Sequence, residues 1–305
     1  MEDSELCVVT GAFGYTGKYI THRLLAAGKR VKTITGHPDR PNPFGLDVNV
    51  ASFSFGDPKG LTHTLKGATT LYNTYWVRFP YRKVSFETAV HNTRILISAA
   101  ESAGVRRIVH ISITNASIES PLPYFSGKGL VEKAIAESRL SYAIIRPTVI
   151  FGAEDILINN IAWLLRRFPV FAIPGTGDYR LQPIYVEDVA EIAVNAGQTD
   201  ENLIVDAVGP EVFTFEELVQ LLAKTVGSQA RTIHVNPRLA LSLSRLVGYA
   251  LRDIVLTRDE IAGLTANLLV SDRPPTGQTR LSEWLAANAH SVGRRYAPEL
   301  ARHYR

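Results

Sequence analysis

The chain has 305 residues, of which 46% are hydrophobic and 20% charged, with a net charge of +4 and a pI near 9.1. This is an ordinary globular composition with room for a large core, and the length suggests two domains, or one domain with a lobe. No apolar run reaches the ~18–20 residues of a membrane span. The basic residues (Arg78, Arg82, Arg106, Arg107, Arg166, Arg167, Arg294, Arg295) are scattered, which reads as a solvated surface and not a nucleic-acid face. The single Cys7 cannot form an internal disulfide, and a buried, inert thiol in a reducing, cytoplasmic setting is expected. The acidic start runs straight into the first strand, so no signal peptide is expected.

The first strand is an apolar run ending at Thr10. Gly11, Gly14 and Gly17 follow at even spacing, and a helical pattern covers 18–27. A parallel strand turning into a helix leaves free N–H groups and a positive dipole end, where a pyrophosphate sits well. Gly11 would make the tight turn, Gly14 would let the backbone approach phosphate, and Gly17 would let the helix pack on the strand. The strand-to-helix context points to a dinucleotide turn. Further along, strands at 31–35, 50–55, 69–75, 105–112 and 141–146 alternate with helices at 59–66, 84–103 and 124–138. That alternation predicts an α/β fold with a doubly wound parallel sheet. The second half is less regular: helices at 159–168 and 215–226, a helix entered through 181–190, a loop at 171–177, a strand at 203–208, and mainly helix from Pro237. The predicted organisation is a cofactor-binding domain over 1–236, to which 151–182 and 209–236 add a substrate lobe, and a smaller, mainly helical C-terminal lobe over 237–305.

The second strand runs out into Thr35-Gly36-His37-Pro38-Asp39-Arg40 with no acid at its tip. A carboxylate there would hold a ribose 2′-OH and repel a 2′-phosphate. His37 and Arg40 could meet a phosphate, so NADP(H) is the expected cofactor, with NAD(H) the second choice. Asp57 is placed either to reach an adenine amino group or to cap the following helix. Tyr124 and Lys128 lie one helical turn apart on one face. The lysine can lower the tyrosine's pKa and hold a ribose, while the phenol passes a proton to or from a carbonyl or hydroxyl oxygen. Ser112 or Thr114, ending the fifth strand, could orient that oxygen. The segment from Tyr75 to Tyr81, with Trp76 and Arg78 near the expected nicotinamide end, suits a carbonyl compound with an anionic or aromatic part and also plain loop packing, which is the preferred reading. No metal site is expected.

These motifs resemble the extended or atypical short-chain dehydrogenase/reductases. The likeness is carried by Thr10 to Gly17, Gly56-Asp57, Tyr124/Lys128, the segment from Arg146 to Gly152, and Pro183-Ile184-Tyr185-Val186-Glu187-Asp188-Val189-Ala190. Within that superfamily the chain is most similar to epimerase-like proteins related to an accessory subunit of respiratory complex I, and more distantly to NmrA-like proteins. The resemblance covers roughly 6–223 and implies a Rossmann fold. It implies that Phe13, Tyr15 and Thr16 join the three glycines around the pyrophosphate, and that Asn73, Thr74 and Tyr75 pass beside the adenosine and ribose. It also implies that Asn92 lies near the active site, that Pro147, Thr148 and Val149 touch the nicotinamide carboxamide, and that Asp188 is a helix N-cap. The implied activity is hydride transfer to or from a small carbonyl or hydroxyl substrate, with Tyr124, Lys128 and Ser112 catalytic. The rival expectation is a non-catalytic NAD(P)H-binding sensor or scaffold whose helical tail holds a partner. A homodimer through 84–103 and 124–138 is a further expectation. One departure stands out: Ser112 precedes Tyr124 by only 12 positions, a much shorter approach than extended enzymes use.

Overall fold

The computed structural model describes residues 5–304, and the chain divides into two compact units. The first holds residues up to Pro147 together with Val186–Asp206; the second holds Thr148–Tyr185 and the chain from Ala207 onward.

In the first unit, β1 (Leu6–Thr10) leads to α1 (Tyr15–Ala26), β2 (Arg30–Thr35), β3 (Val48–Ser52), α2 (Pro58–Leu65), β4 (Ala68–Asn73), α3 (Phe86–Ala103), β5 (Arg107–Ile111), α4 (Pro123–Ala136) and β6 (Ser141–Pro147). Strand β1 pairs in parallel with β2 and β4, β2 with β3, β4 with β5, and β5 with β6. Side chains buried on both faces are what a parallel sheet covered by helices requires, and β1 and β5 show it: Val8, Val9, Ile108 and Val109 are fully buried. Local chemistry sets the helix ends. Asp57 accepts from the Gly60 N–H at 3.0 Å to cap α2, Ser85 caps α3, and α3 stops at Gly104, whose φ of +79° is the left-handed stop that glycine adopts most easily.

Two short strands and a helix follow in the second unit: β7 (Ile150–Phe151), α5 (Leu157–Arg167) and β8 (Val170–Pro174), then β9 (Arg180–Leu181) and β10 (Ile184–Tyr185). The chain returns to the first unit as α6 (Val186–Ala196) and β11 (Leu203–Ala207), which completes a seven-stranded sheet of order β11-β6-β5-β4-β1-β2-β3. Helix α6 packs beside α1. The second unit resumes with β12 (Phe213–Thr214), α7 (Phe215–Val226), β13 (Arg231–Val235), α8 (Pro237–Leu251), α9 (Arg258–Thr265), α10 (Leu281–Asn288) and α11 (Glu299–His303). Its own core joins Phe151, Ile158, Leu165, Ile173, Leu218, Leu222, Leu264, Leu281, Leu285 and Val292.

Four expectations need correction. The expected loop at 171–177 is mostly β8, paired in parallel with β13. Strand β3 lies earlier than 50–55: its last residue, Ser52, pairs with Thr35 of β2, the Phe53 N–H makes a final bond to the Thr35 carbonyl at 3.2 Å, and Phe53 and Phe55 then pack edge-to-face on each other. Asp188 is no N-cap but lies inside the first turn of α6, where its charge suits the helix dipole. Arg107 is not a surface charge: it is 2% exposed, and its guanidinium donates to the carbonyls of Ala196 at 2.8 Å and Glu201 at 2.9 Å.

Candidate functional site

The sheet order reverses beside β1: β2 and β3 lie to one side, β4 and β5 to the other. Such a switch point opens a crevice at the carboxyl ends of the strands, and ligands of open α/β sheets bind there. Gly11 takes φ +67°, and the Gly14 N–H closes the turn on the Gly11 carbonyl at 2.8 Å. A Cβ on Gly17 would stand 2.3 Å from that same carbonyl oxygen, so only glycine lets α1 lie this close. Helix α1 begins after Gly14 with no side-chain cap and no acid in its first turn. Its N–H groups and dipole therefore present a cradle for an anion, and the three glycines fit the pyrophosphate of a dinucleotide. Phe13, Tyr15 and Thr16 belong to this turn and the first turn of the helix.

Thr10 ties the turn to the end of β4. Its hydroxyl accepts the N–H of Thr74 at 2.7 Å and of Tyr75 at 3.0 Å and donates to Asn73 Oδ1 at 3.2 Å, while the Thr74 hydroxyl donates to the Thr10 carbonyl. The Asn73 amide nitrogen in turn donates to His110 Nδ1 at 3.0 Å. His110 is fully buried, its Nε2 has no hydrogen-bond partner among the described residues, and its pKa falls well below the ordinary value through burial and the nearby Lys128. Accepting at Nδ1 places the proton of the neutral ring on Nε2. Tyr75 accepts from the Asn92 side chain at 2.9 Å, which puts Asn92 beside the segment leaving β4. Asp57 spends its carboxylate on the α2 cap. At the tip of β2, His37 is exposed, and the Arg40 N–H closes the turn onto the His37 carbonyl.

The third group centres on α4. Tyr124 packs its ring edge-on against Trp76 and Phe86, and the Lys128 ammonium lies 4.6 Å over the Trp76 ring and donates to the Ile111 carbonyl at 2.7 Å. Lys128 is 2% exposed, and desolvation pushes its pKa down to about 7 against the opposing pull of Glu132. Trp76 was read as loop packing, yet it is the residue that joins Tyr124 to Lys128, and its indole N–H is buried without a hydrogen-bond partner among the described residues. Ser112 is 4% exposed and donates to Glu132 Oε1 at 2.5 Å, while Glu132 also pairs with Arg146. Thr114 donates to the Arg146 carbonyl at 3.0 Å. Both hydroxyls expected to orient a substrate oxygen are therefore engaged inside the fold. Glu132 was missed, although it continues the four-residue spacing from Tyr124 through Lys128.

Pro147 closes β6 and accepts the Thr114 N–H at 2.9 Å. Thr148 opens the second unit, with its hydroxyl on the Gln182 carbonyl and its N–H on the Ala207 carbonyl, and Val149 packs into that unit's core.

Residues 11–156 match the family described as NAD(P)H-binding. The chain is 25% identical over 286 residues to NADH dehydrogenase [ubiquinone] 1 alpha subcomplex subunit 9, mitochondrial, of Arabidopsis thaliana, covering 88% of this chain and 71% of the relative. The chain is thus similar to the extended and atypical short-chain dehydrogenase/reductases. A second relative, the ceramide reductase of Caulobacter vibrioides, is 27% identical over 232 residues, 74% of this chain and 72% of its own. The fold matches the NADPH-dependent quinone oxidoreductase QOR2 of Escherichia coli, solved with NADPH, at a TM-score of 0.74 and 23% identity over 92% of this chain and 99% of the other. The match to the NAD(P)H-binding family lies on residues 11–156, the stretch that contains the glycine turn, Tyr124 and Lys128.

Proposed function

We propose that the chain is an NADP(H)-dependent oxidoreductase acting on a carbonyl or hydroxyl compound. The observation that carries the reading is the Tyr124–Trp76–Lys128 cluster, in which a phenol and a buried amine share one face of α4 at the end of β5. When bound, the cofactor would supply or accept the hydride. The residues that would hold it are the turn 11–17 at its pyrophosphate, with His37 and Arg40 favouring a 2′-phosphate because no acid stands at the tip of β2. The Tyr124 hydroxyl gives its proton to the substrate oxygen in reduction and takes it back in oxidation. Lys128, when protonated, favours the phenolate electrostatically.

Engagement of Ser112 by Glu132 favours a second reading, a non-catalytic NADP(H)-binding scaffold, and the Arabidopsis relative's name, a subunit of an NADH dehydrogenase subcomplex, points the same way. One experiment separates them. Calorimetric titration with NADPH and NADH is run beside a panel of aldehydes, ketones and quinones, following oxidation of the reduced cofactor. The enzyme reading expects tighter NADPH binding and turnover that Tyr124→Phe lowers at least a hundred-fold while NADPH binding is kept. Turnover unchanged in Tyr124→Phe removes the proton-transfer role, and tighter NADH binding removes the NADP(H) preference. Binding without turnover across the panel moves the assignment to the scaffold.

A further inference from the structure

Helix α8 carries an apolar face that the protein leaves uncovered. Leu239 is 51% exposed, Leu243 40%, Leu246 69% and Tyr249 87%. At roughly 100° per residue, Leu239, Leu243, Leu246 and Ala250 fall within about 60° of one another around the helix. Arg238 and Arg245, spaced by seven, lie within about 20° of each other along one edge of that stripe, and Arg252 follows as the C-cap of the helix. All three arginines are exposed, and the stretch from Pro237 to Arg252 contains no acidic residue. The inward side is small: Ala240 and Gly248 are the buried positions. The helix is thus amphipathic in an unusual sense, with the apolar stripe and the basic row both turned outward.

We propose that α8 docks this protein onto the surface of an anionic lipid bilayer. A helix with an apolar stripe rimmed by arginine lies in the interfacial plane, its leucines among the upper acyl chains and its guanidinium groups on lipid phosphates. The unbroken positive charge of the rim complements an anionic headgroup layer. The 15 residues of α8 are too few to cross a bilayer, and no helix among the described residues is long and apolar enough to do so, so the attachment is peripheral. Arg245 and Tyr249 also border a cleft of about 880 Å³ with apolar walls at Leu241, Ile254, Leu256 and Leu300, a recess with room for part of an acyl chain. The inference stands apart from the cofactor chemistry.

The test is co-sedimentation of the full chain with vesicles of phosphatidylcholine alone and of phosphatidylcholine with phosphatidylglycerol, at low and high salt. The expected result is binding to the anionic vesicles that weakens with salt, with little binding to neutral ones. At about five-fold per arginine, Arg238→Gln with Arg245→Gln weakens binding roughly twenty-five-fold, and Leu243→Asp with Leu246→Asp abolishes it. The arginine pair lies on the exposed rim, so its substitution leaves the fold intact and keeps the test open should the aspartate pair unfold α8. Equal binding to both vesicle types, binding unaffected by the substitutions, or no binding overturns the proposal. So does a dimer in light scattering that the aspartate pair dissolves, which assigns the face to a second copy of the chain.

Discussion

Lys128 has surroundings that fix both what it can do and how the protein responds to pH. The amine is buried, bonded to the Ile111 carbonyl and covered by Trp76. Its pKa is about 7 in the folded chain and near the ordinary lysine value when unfolded. Between those values the unfolded chain holds a proton that the folded chain has lost, so stability rises with pH, by at most about 1.4 kcal/mol per pH unit. Above pH 9 the trend is opposed by Cys7, whose thiol is raised to about 11 by burial and so ionises more readily unfolded. The window is therefore pH 7 to 9. Urea unfolding across it should show the wild type gaining stability and Lys128→Met showing a flatter profile; parallel profiles would mean the buried amine keeps its charge. The spacing of Tyr124 and Lys128 was legible because one helix carries both. Ser112, Glu132 and Arg146 were not legible as a network, since the hydroxyl comes from just past β5, the carboxylate from α4 and the guanidinium from β6, and they meet only in the folded chain.

At the scale of elements, the opening turn was legible because its chemistry is local: Gly11 needs a positive φ, and Gly17 must lack a side chain. Its consequence can be measured. In Gly17→Ala the new Cβ would lie 2.3 Å from the Gly11 carbonyl oxygen and 2.9 Å from its carbon, both backbone atoms that cannot rotate away. Helix α1 must shift from β1 and carry its N–H groups with it. NADPH affinity should then fall at least ten-fold in a calorimetric titration while circular dichroism stays close to wild type; undiminished affinity would show that phosphate is held elsewhere. The same locality explains why α7 was read correctly, with Thr214 and Glu217 forming a reciprocal capping box at its start. The parallel pair β8 and β13 shows the opposite case. Phe171 meets Thr232, some sixty residues on, and nothing near either strand announces the partner.

Across the whole molecule, the doubly wound sheet followed from alternating strands and helices, but which residues build the second unit's core did not. That unit is assembled from two separated stretches, because α6 and β11 return to the first unit between them. The tail beyond Asn236 supplies Leu264, Leu281, Leu285 and Val292 to a core whose other members come from 149–222. It also takes up Arg166, which donates to the carbonyls of Val292 at 3.0 Å and Ala289 at 2.8 Å, and Asn160, which exchanges hydrogen bonds with Ala297. Each large apolar side chain withdrawn from burial costs about 1.5–3 kcal/mol. Four of them come to roughly 6–12 kcal/mol, comparable with the 5–15 kcal/mol that typically holds a domain folded. A chain truncated after Asn236 should therefore lose cooperative unfolding in its second unit. Near-ultraviolet dichroism from Trp163 and Tyr179 should collapse, while the glycine turn and the sheet around β1, whose core is made by other residues, keep NADPH binding measurable. A truncated chain that unfolds as sharply and at the same urea concentration as the full chain would show instead that 237–305 folds and packs as a separate lobe.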